Sequence, residues 1–173
     1  MKQMRQSGFT LIELLVVISI VSLLSSVVLS AVNTARQKAT NTQVLSVARE
    51  YRNAIELYRL NSPSGGLPDP GDTVSTYCLG SYPPDGFCTS NSSYWENSGL
   101  KTALETYLPT FPTAKPVTYL SEQFYGPLYI CLTRLNGICT RANMRWVNEG
   151  TGSSNYNCLG NISATPWCLY PFQ

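Results

Sequence analysis

Residues 9–32 read FTLIELLVVISIVSLLSSVVLSAV, an apolar run interrupted only by Ser, Thr and a single charged residue, Glu13. As a helix this stretch spans about 36 Å, enough to cross a hydrocarbon core of roughly 30 Å. No polar face recurs at helical spacing, which is the pattern of a helix surrounded by lipid. Glu13 is then the anomaly. An ionised carboxylate inside a membrane helix costs roughly 2 to 3 kcal/mol on the lenient insertion scale, so it demands a partner or a route to the headgroups.

Working outward, the helical signal does not stop at Val32. From Phe9 to Ser62 the chain has no Gly and no Pro, the two residues that most often punctuate helices. One continuous helix of about 80 Å is predicted. Its second part, 33–62, is polar with an apolar stripe at spacings of three and four: Val44, Val47, Ala48, Tyr51, Ala54, Ile55 and Tyr58. Such a stripe predicts that a water-soluble domain packs against it. Arg49, Arg52, Glu56 and Arg59 decorate the other faces, with Arg52 and Glu56 one turn apart for a weak ion pair.

Composition narrows the chemistry. The chain has 173 residues, with 12 Lys and Arg against 10 Asp and Glu, a formal charge of +2, and no His. Length allows one modest domain plus an accessory segment. The absence of His removes Ser-His-Asp and Cys-His catalysis, imidazole-ligated zinc and imidazole pH switching. A charged fraction of 13% supplies no basic field for nucleic acid phosphates. No catalytic residues, cofactor or metal set are expected, and no specific nucleic acid site.

Two ordinary explanations of the apolar run compete with a specialised one. A cleaved secretory signal has a shorter core, and Ser30-Ala31-Val32 is a poor cleavage site. A plain single-pass anchor is not oriented by flanking charge, because Lys2 and Arg5 on one side are matched by Arg36 and Lys38 on the other.

The context of Glu13 separates these. Residues 5–17, RQSGFTLIELLVV, resemble the N-terminus of type IV prepilins and related pseudopilins: a short basic leader ending in Gly, then Phe-Thr-Leu-Ile-Glu and a long apolar run. The likeness covers roughly the first 40 residues. It implies cleavage by a prepilin peptidase after Gly8 on the cytoplasmic side, leaving Phe9 as a new N-terminus that the same enzyme class N-methylates. It further implies that Glu13 neutralises the N-terminal amine of a neighbouring subunit, a pair that sets register more than stability. In this picture the apolar helices exchange lipid for one another in a filament core. Lys2 and Arg5 leave with the leader, so the processed side chains balance in charge. Many pilins carry Gly and Pro near the positions of Ser22 and Ser30; here these are absent, and Ser25-Ser26 is a weak substitute for bending the helix.

The rest of the chain has a different composition. All 11 Pro, all six Cys and all three Trp follow Asn61. The segment SPSGGLPDPG, 62–71, closes the helix. Cys78, Cys88, Cys131, Cys139, Cys158 and Cys168 form an even set in a region the N-terminus marks as exported, and their three close pairs make sequential disulfides the economical connectivity. No C-x₂-C spacing for zinc or redox chemistry occurs. Leu128–Thr133 reads as a strand, Asn136-Gly137 as a hairpin turn, and Cys131 and Cys139 flank it at spacings suited to facing each other. Met144–Val147 and Thr118–Leu120 read as further strands, and Leu100–Leu108 as a short helix before Pro109. Asp69 and Asp72 in DPGD read as turn residues rather than calcium ligands. Asn91-Ser92-Ser93 and Asn161-Ile162-Ser163 match the glycosylation pattern, and Cys168–Gln173 reads as an exposed C-terminal edge.

The expected fold is α+β and type IV pilin-like, with a leader over 1–8, a transmembrane or filament-core helix over 9–32, its amphipathic continuation over 33–62, and a disulfide-stapled antiparallel domain over 63–173. The expected function is a structural filament subunit, membrane-anchored with a cytoplasmic N-terminus before assembly and part of an extracellular or cell-surface filament after it. Its implied partners are copies of itself or other pilins, the prepilin peptidase and N-methyltransferase, and an assembly platform in the membrane. The alternatives are a minor pilin or pseudopilin of a type II secretion or competence system, and an unprocessed single-pass anchor carrying a binding module.

Overall fold

The structure is a computed structural model that describes residues 10–80, 87–90, 94–119, 121–148 and 167–172. It divides into two compact units, 1–38 and 39–173. The first helix, α1, runs Leu11–Asn61. It ends where the sequence places its stop: the N–H of Ser62 bonds the Tyr58 carbonyl at 2.8 Å, and Gly65 then takes a positive φ of 64°.

In the first unit, the apolar side chains from Leu11 to Val32 are exposed all round the helix. Three of its serine hydroxyls are satisfied within the helix. Ser19 donates to the Val16 carbonyl at 2.8 Å, Ser22 to that of Ile18 at 2.7 Å, and Ser26 to that of Leu23 at 2.8 Å. A segment in lipid requires this, because no water is available to take those donors. The helix assignment is uninterrupted through Ser25 and Ser26.

The second unit is built on the stripe of α1. Val44, Val47, Ala48, Tyr51, Ala54 and Ile55 are buried, joined by Asn41, while Tyr58 is half-buried. Arg52 and Glu56 do not pair as expected. Glu56 instead bonds Arg59 at 3.0 Å, and the Arg52 guanidinium lies over the Tyr170 ring, 4.9 Å from its centroid. An aromatic face leaves Arg52 its hydration at the N–H edge, which a helix-surface carboxylate one turn away does not better.

Among the described residues, six strands and one further helix complete this unit. In chain order they are β1 (Tyr77–Cys78), α2 (Ser98–Glu105), β2 (Val117–Tyr119), β3 (Glu122–Phe124), β4 (Leu128–Leu135), β5 (Ile138–Val147) and β6 (Trp167–Phe172). One antiparallel sheet has the order β1-β4-β5-β6, and β2-β3 form a second, two-stranded one. Along β5, Ala142, Met144 and Trp146 alternate into the core that holds the α1 stripe. This is the expected α+β arrangement of a long helix and a small antiparallel sheet.

Several elements differ from the sequence reading. Met144–Val147 is not a separate strand but the end of the ten-residue β5. The short helix α2 begins at Ser98 and ends at Glu105, earlier than expected, because Asn97 caps it: the Asn97 Oδ1 accepts from the Leu100 N–H at 3.0 Å. The β4-β5 hairpin turns on Asn136 and Gly137, both at positive φ (51° and 79°), as a two-residue loop closing on the Leu135–Ile138 pair.

Candidate functional site

The N-terminal end of α1 is where the sequence places its chemistry. Gly8 and Phe9 lie outside the described residues. Glu13 lies within them, and its surroundings are local. The Thr10 backbone N–H donates to Glu13 Oε2 at 2.9 Å, the Thr10 hydroxyl donates to the same oxygen at 2.6 Å, and the Glu13 N–H donates back to Thr10 Oγ1 at 3.4 Å. This is a reciprocal capping box with Thr10 at the N-cap and Glu13 three residues on. It satisfies helix N–H groups that would otherwise face lipid or solvent without a partner.

The T-x-x-E pattern was readable in the sequence, and reading Glu13 only as a costly charge misses it. The box places an acid in the first turn, where the positive end of the helix dipole favours it. Glu13 makes no ion pair among the described residues. What the geometry offers chemically is a fixed carboxylate at one end of an exposed apolar cylinder, with its second oxygen, Oε1, in no hydrogen bond among the described residues. Leu11 is 82% exposed and Ile12 70% beside it. Exposed apolar surface on this scale marks an interaction with lipid or with other protein.

The cysteines occupy the second unit. Cys78 is bonded to Cys88 with their Cα atoms 5.6 Å apart, and Cys131 to Cys139 at 5.9 Å. Cys168 is also disulfide-bonded, while Cys158, its expected partner, lies outside the described residues. Cys131 and Cys139 do not face each other in register as the spacing implied. Cys131 sits opposite Ala142 and Cys139 opposite Arg134, and register shifts around Thr133 bring the two together diagonally. Bulges of this kind increase strand twist and re-aim side chains, which lets a diagonal pair meet.

The DPGD turn is consumed internally. Asp69 accepts from the Gly71 N–H at 2.9 Å and takes the Arg134 guanidinium through Nε and Nη2, each at 2.8 Å. Asp72 accepts from the Tyr77 hydroxyl at 2.7 Å and from the Ser75 and Val74 N–H groups. Those bonds, the Tyr77 one foremost, hold the Asp72 carboxyl below the usual aspartate range. Both side chains serve as turn braces, and the described residues contain no group of three or more His, Cys, Asp or Glu able to hold a metal ion. Both glycosylation patterns fall outside the described residues.

Comparison with known proteins points to the same end of the chain. A family model described as the prokaryotic N-terminal methylation motif matches residues 3–29. Prepilin peptidase-dependent protein D of Escherichia coli (strain K12) is 39% identical over 77 residues, covering 40% of this chain and 53% of that protein. Type II secretion system core protein G of Aeromonas hydrophila is 37% identical over 62 residues, covering 36% of this chain and 43% of that protein. The chain thus spans about half the length of the curated relatives it matches. No solved structure matches. The N-terminal motif and these relatives support a likeness to the type IV pilin and pseudopilin family.

Proposed function

We propose that this protein is a structural subunit of a type IV pilus-like filament, without catalytic activity of its own, cut by prepilin peptidase after Gly8 and N-methylated at Phe9. The observation that carries the reading is the first part of α1. An apolar helix exposed all round, with one carboxylate fixed at its N-terminal end, is suited to a lipid bilayer first and to a bundle of its own kind afterwards. In the bundle Glu13 meets the amine of a neighbouring Phe9. Its Oε1 is the oxygen left for that amine, while Oε2 keeps the Thr10 box.

The partners under this reading are other copies of the subunit or related pilins, the peptidase and methyltransferase, and a membrane assembly platform. The subunit begins as a single-pass membrane protein with a cytoplasmic N-terminus and ends in a surface filament. A second reading, a pseudopilin of a secretion system, is favoured by the likeness to the secretion-system protein of Aeromonas hydrophila.

Intact mass of the chain purified from membranes tests the processing. The expected mass lacks residues 1–8 and carries one added methyl group; the full-length mass overturns the reading in favour of an unprocessed anchor. Shearing cells and probing the supernatant separates the two filament readings, since an abundant sheared subunit supports a pilus and a scarce one a secretion pseudopilus.

A further inference from the structure

Away from the N-terminus, α1 and the sheet enclose a groove of about 310 Å³ whose wall, among the described residues, carries two guanidinium groups and no carboxylate. Arg49 and Arg52 stand on one side, and Met144, Leu169 and Tyr170 on the other, with Ala48 at the helix. The two arginines are three residues apart on α1, so they share a face. Both are exposed, and neither takes part in the three ion pairs of the described residues, which join Glu56 to Arg59, Glu96 to Lys101 and Asp69 to Arg134. The Tyr170 ring holds Arg52 from one face, 4.9 Å from the centroid. A guanidinium held over an aromatic face still has N–H donors to offer an anion.

We propose that this groove binds a carboxylate-bearing ligand of about monosaccharide size. The charge of the wall selects an anion, and a guanidinium fork suits the planar, two-oxygen geometry of a carboxylate. The thioether of Met144 and the Leu169 side chain supply an apolar wall for the C–H face of such a ligand. A volume at the lower end of the range for small-molecule sites limits the occupant to one ring. The inference does not depend on filament assembly, because every residue it uses belongs to the second unit.

The test uses the full-length chain in dodecyl maltoside micelles, titrated at low salt with D-glucuronate and, separately, with D-glucose. Binding is followed by chemical shifts of the Met144 methyl and the Leu169 amide. Saturable binding of glucuronate is expected, with glucose weaker by about tenfold or more, as loss of charge-assisted bonds implies. Arg49→Gln/Arg52→Gln is expected to weaken glucuronate by a similar factor. Arg141→Gln removes one charge from an exposed position on β5 and is expected to leave binding unchanged. The absence of saturable shifts, equal binding of glucose, or an equal loss in Arg141→Gln overturns the proposal. Shifts at these residues that grow with protein concentration without glucuronate also overturn it, in favour of an acidic side chain of another copy.

Discussion

Thr10 places two donors, its N–H and its hydroxyl, on one oxygen of Glu13, and accepts the Glu13 N–H in return. A residue that fixes the start of the helix is therefore the same residue whose charge the proposed assembly uses. The two roles are separable by substitution. Glu13→Gln keeps an acceptor for Thr10 and removes the charge, so the first turn is expected to stay protected in amide hydrogen exchange while filaments are lost from sheared cells. Thr10→Val removes the cap hydroxyl, and exchange of the Leu11 to Leu14 amides should quicken as the first turn loses about 1 kcal/mol. Unchanged exchange in Thr10→Val would sink the capping assignment, and normal filaments from Glu13→Gln would sink the charge role.

Gly66 is held against the hairpin. A Cβ at this position would collide with Cγ2 of Ile138, next to the bond from the Leu67 N–H to the Cys139 carbonyl at 2.8 Å. The clashing methyl branches from Ile138 Cβ and cannot swing away like the end of a long side chain. Gly66→Ala is expected to destabilise the second unit by about 1 to 3 kcal/mol in chemical denaturation. Adding Ile138→Ala should recover part of that loss; a double variant no better than the sum of the two single variants would show that the clash is not the cause.

The brace between Asp72 and Tyr77 predicts a pH dependence on both flanks. Because Asp72 is held below the usual aspartate range, its contribution is present at neutral pH and is lost as pH falls through that lowered value. The Tyr77 hydroxyl is pushed above the usual tyrosine range, first by the Asp72 bond and then by burial, so its contribution is present below the ordinary value and lost as pH rises through the raised one. Denaturation midpoints measured against pH should fall on each side, and Tyr77→Phe should flatten both falls. A profile unchanged in Tyr77→Phe would assign the titration to other groups.

Cys131 and Cys139 close a short loop with a sequence separation of 8, and both are fully buried. Replacing both with Ala is expected to lower stability by about 2 to 3 kcal/mol on the chain-entropy account. Denaturation with and without reductant checks this, since the double variant should lose its difference from wild type only to the extent that this bond is reduced in the latter. Equal stability of oxidised wild type and the double variant would exclude a stabilising role.

Much of the fold is legible in the sequence, for local reasons. The absence of Gly and Pro between Phe9 and Ser62 marks the long helix, and the stripe from Val44 to Ile55 marks the buried face. Asn136-Gly137 marks the hairpin because few residues other than these tolerate positive φ at both loop positions. The pairing of Tyr77 with Tyr129 is different in kind: β1 has two residues, too few for any periodicity, and its partner is supplied by tertiary packing. The diagonal meeting of Cys131 and Cys139 is hidden for a related reason, since a bulge is a property of two strands together. At the site, spacing exposes Glu13 as unusual, whereas the Thr10 box needs the question of where the first N–H groups of the helix find acceptors.

Among the described residues, the four-stranded sheet is bounded by β1 on one side and β6 on the other. The first has only two residues, with the Cys78 N–H already bonded to the Trp95 carbonyl at 2.9 Å, and the second carries Pro171, which has no N–H to donate. Under the proposed assembly, a subunit packed at high density beside its own copies would run a standing risk of adding strand to strand and aggregating. Here one border is too short to template a neighbour and the other is missing a donor, so runaway sheet growth is discouraged at both.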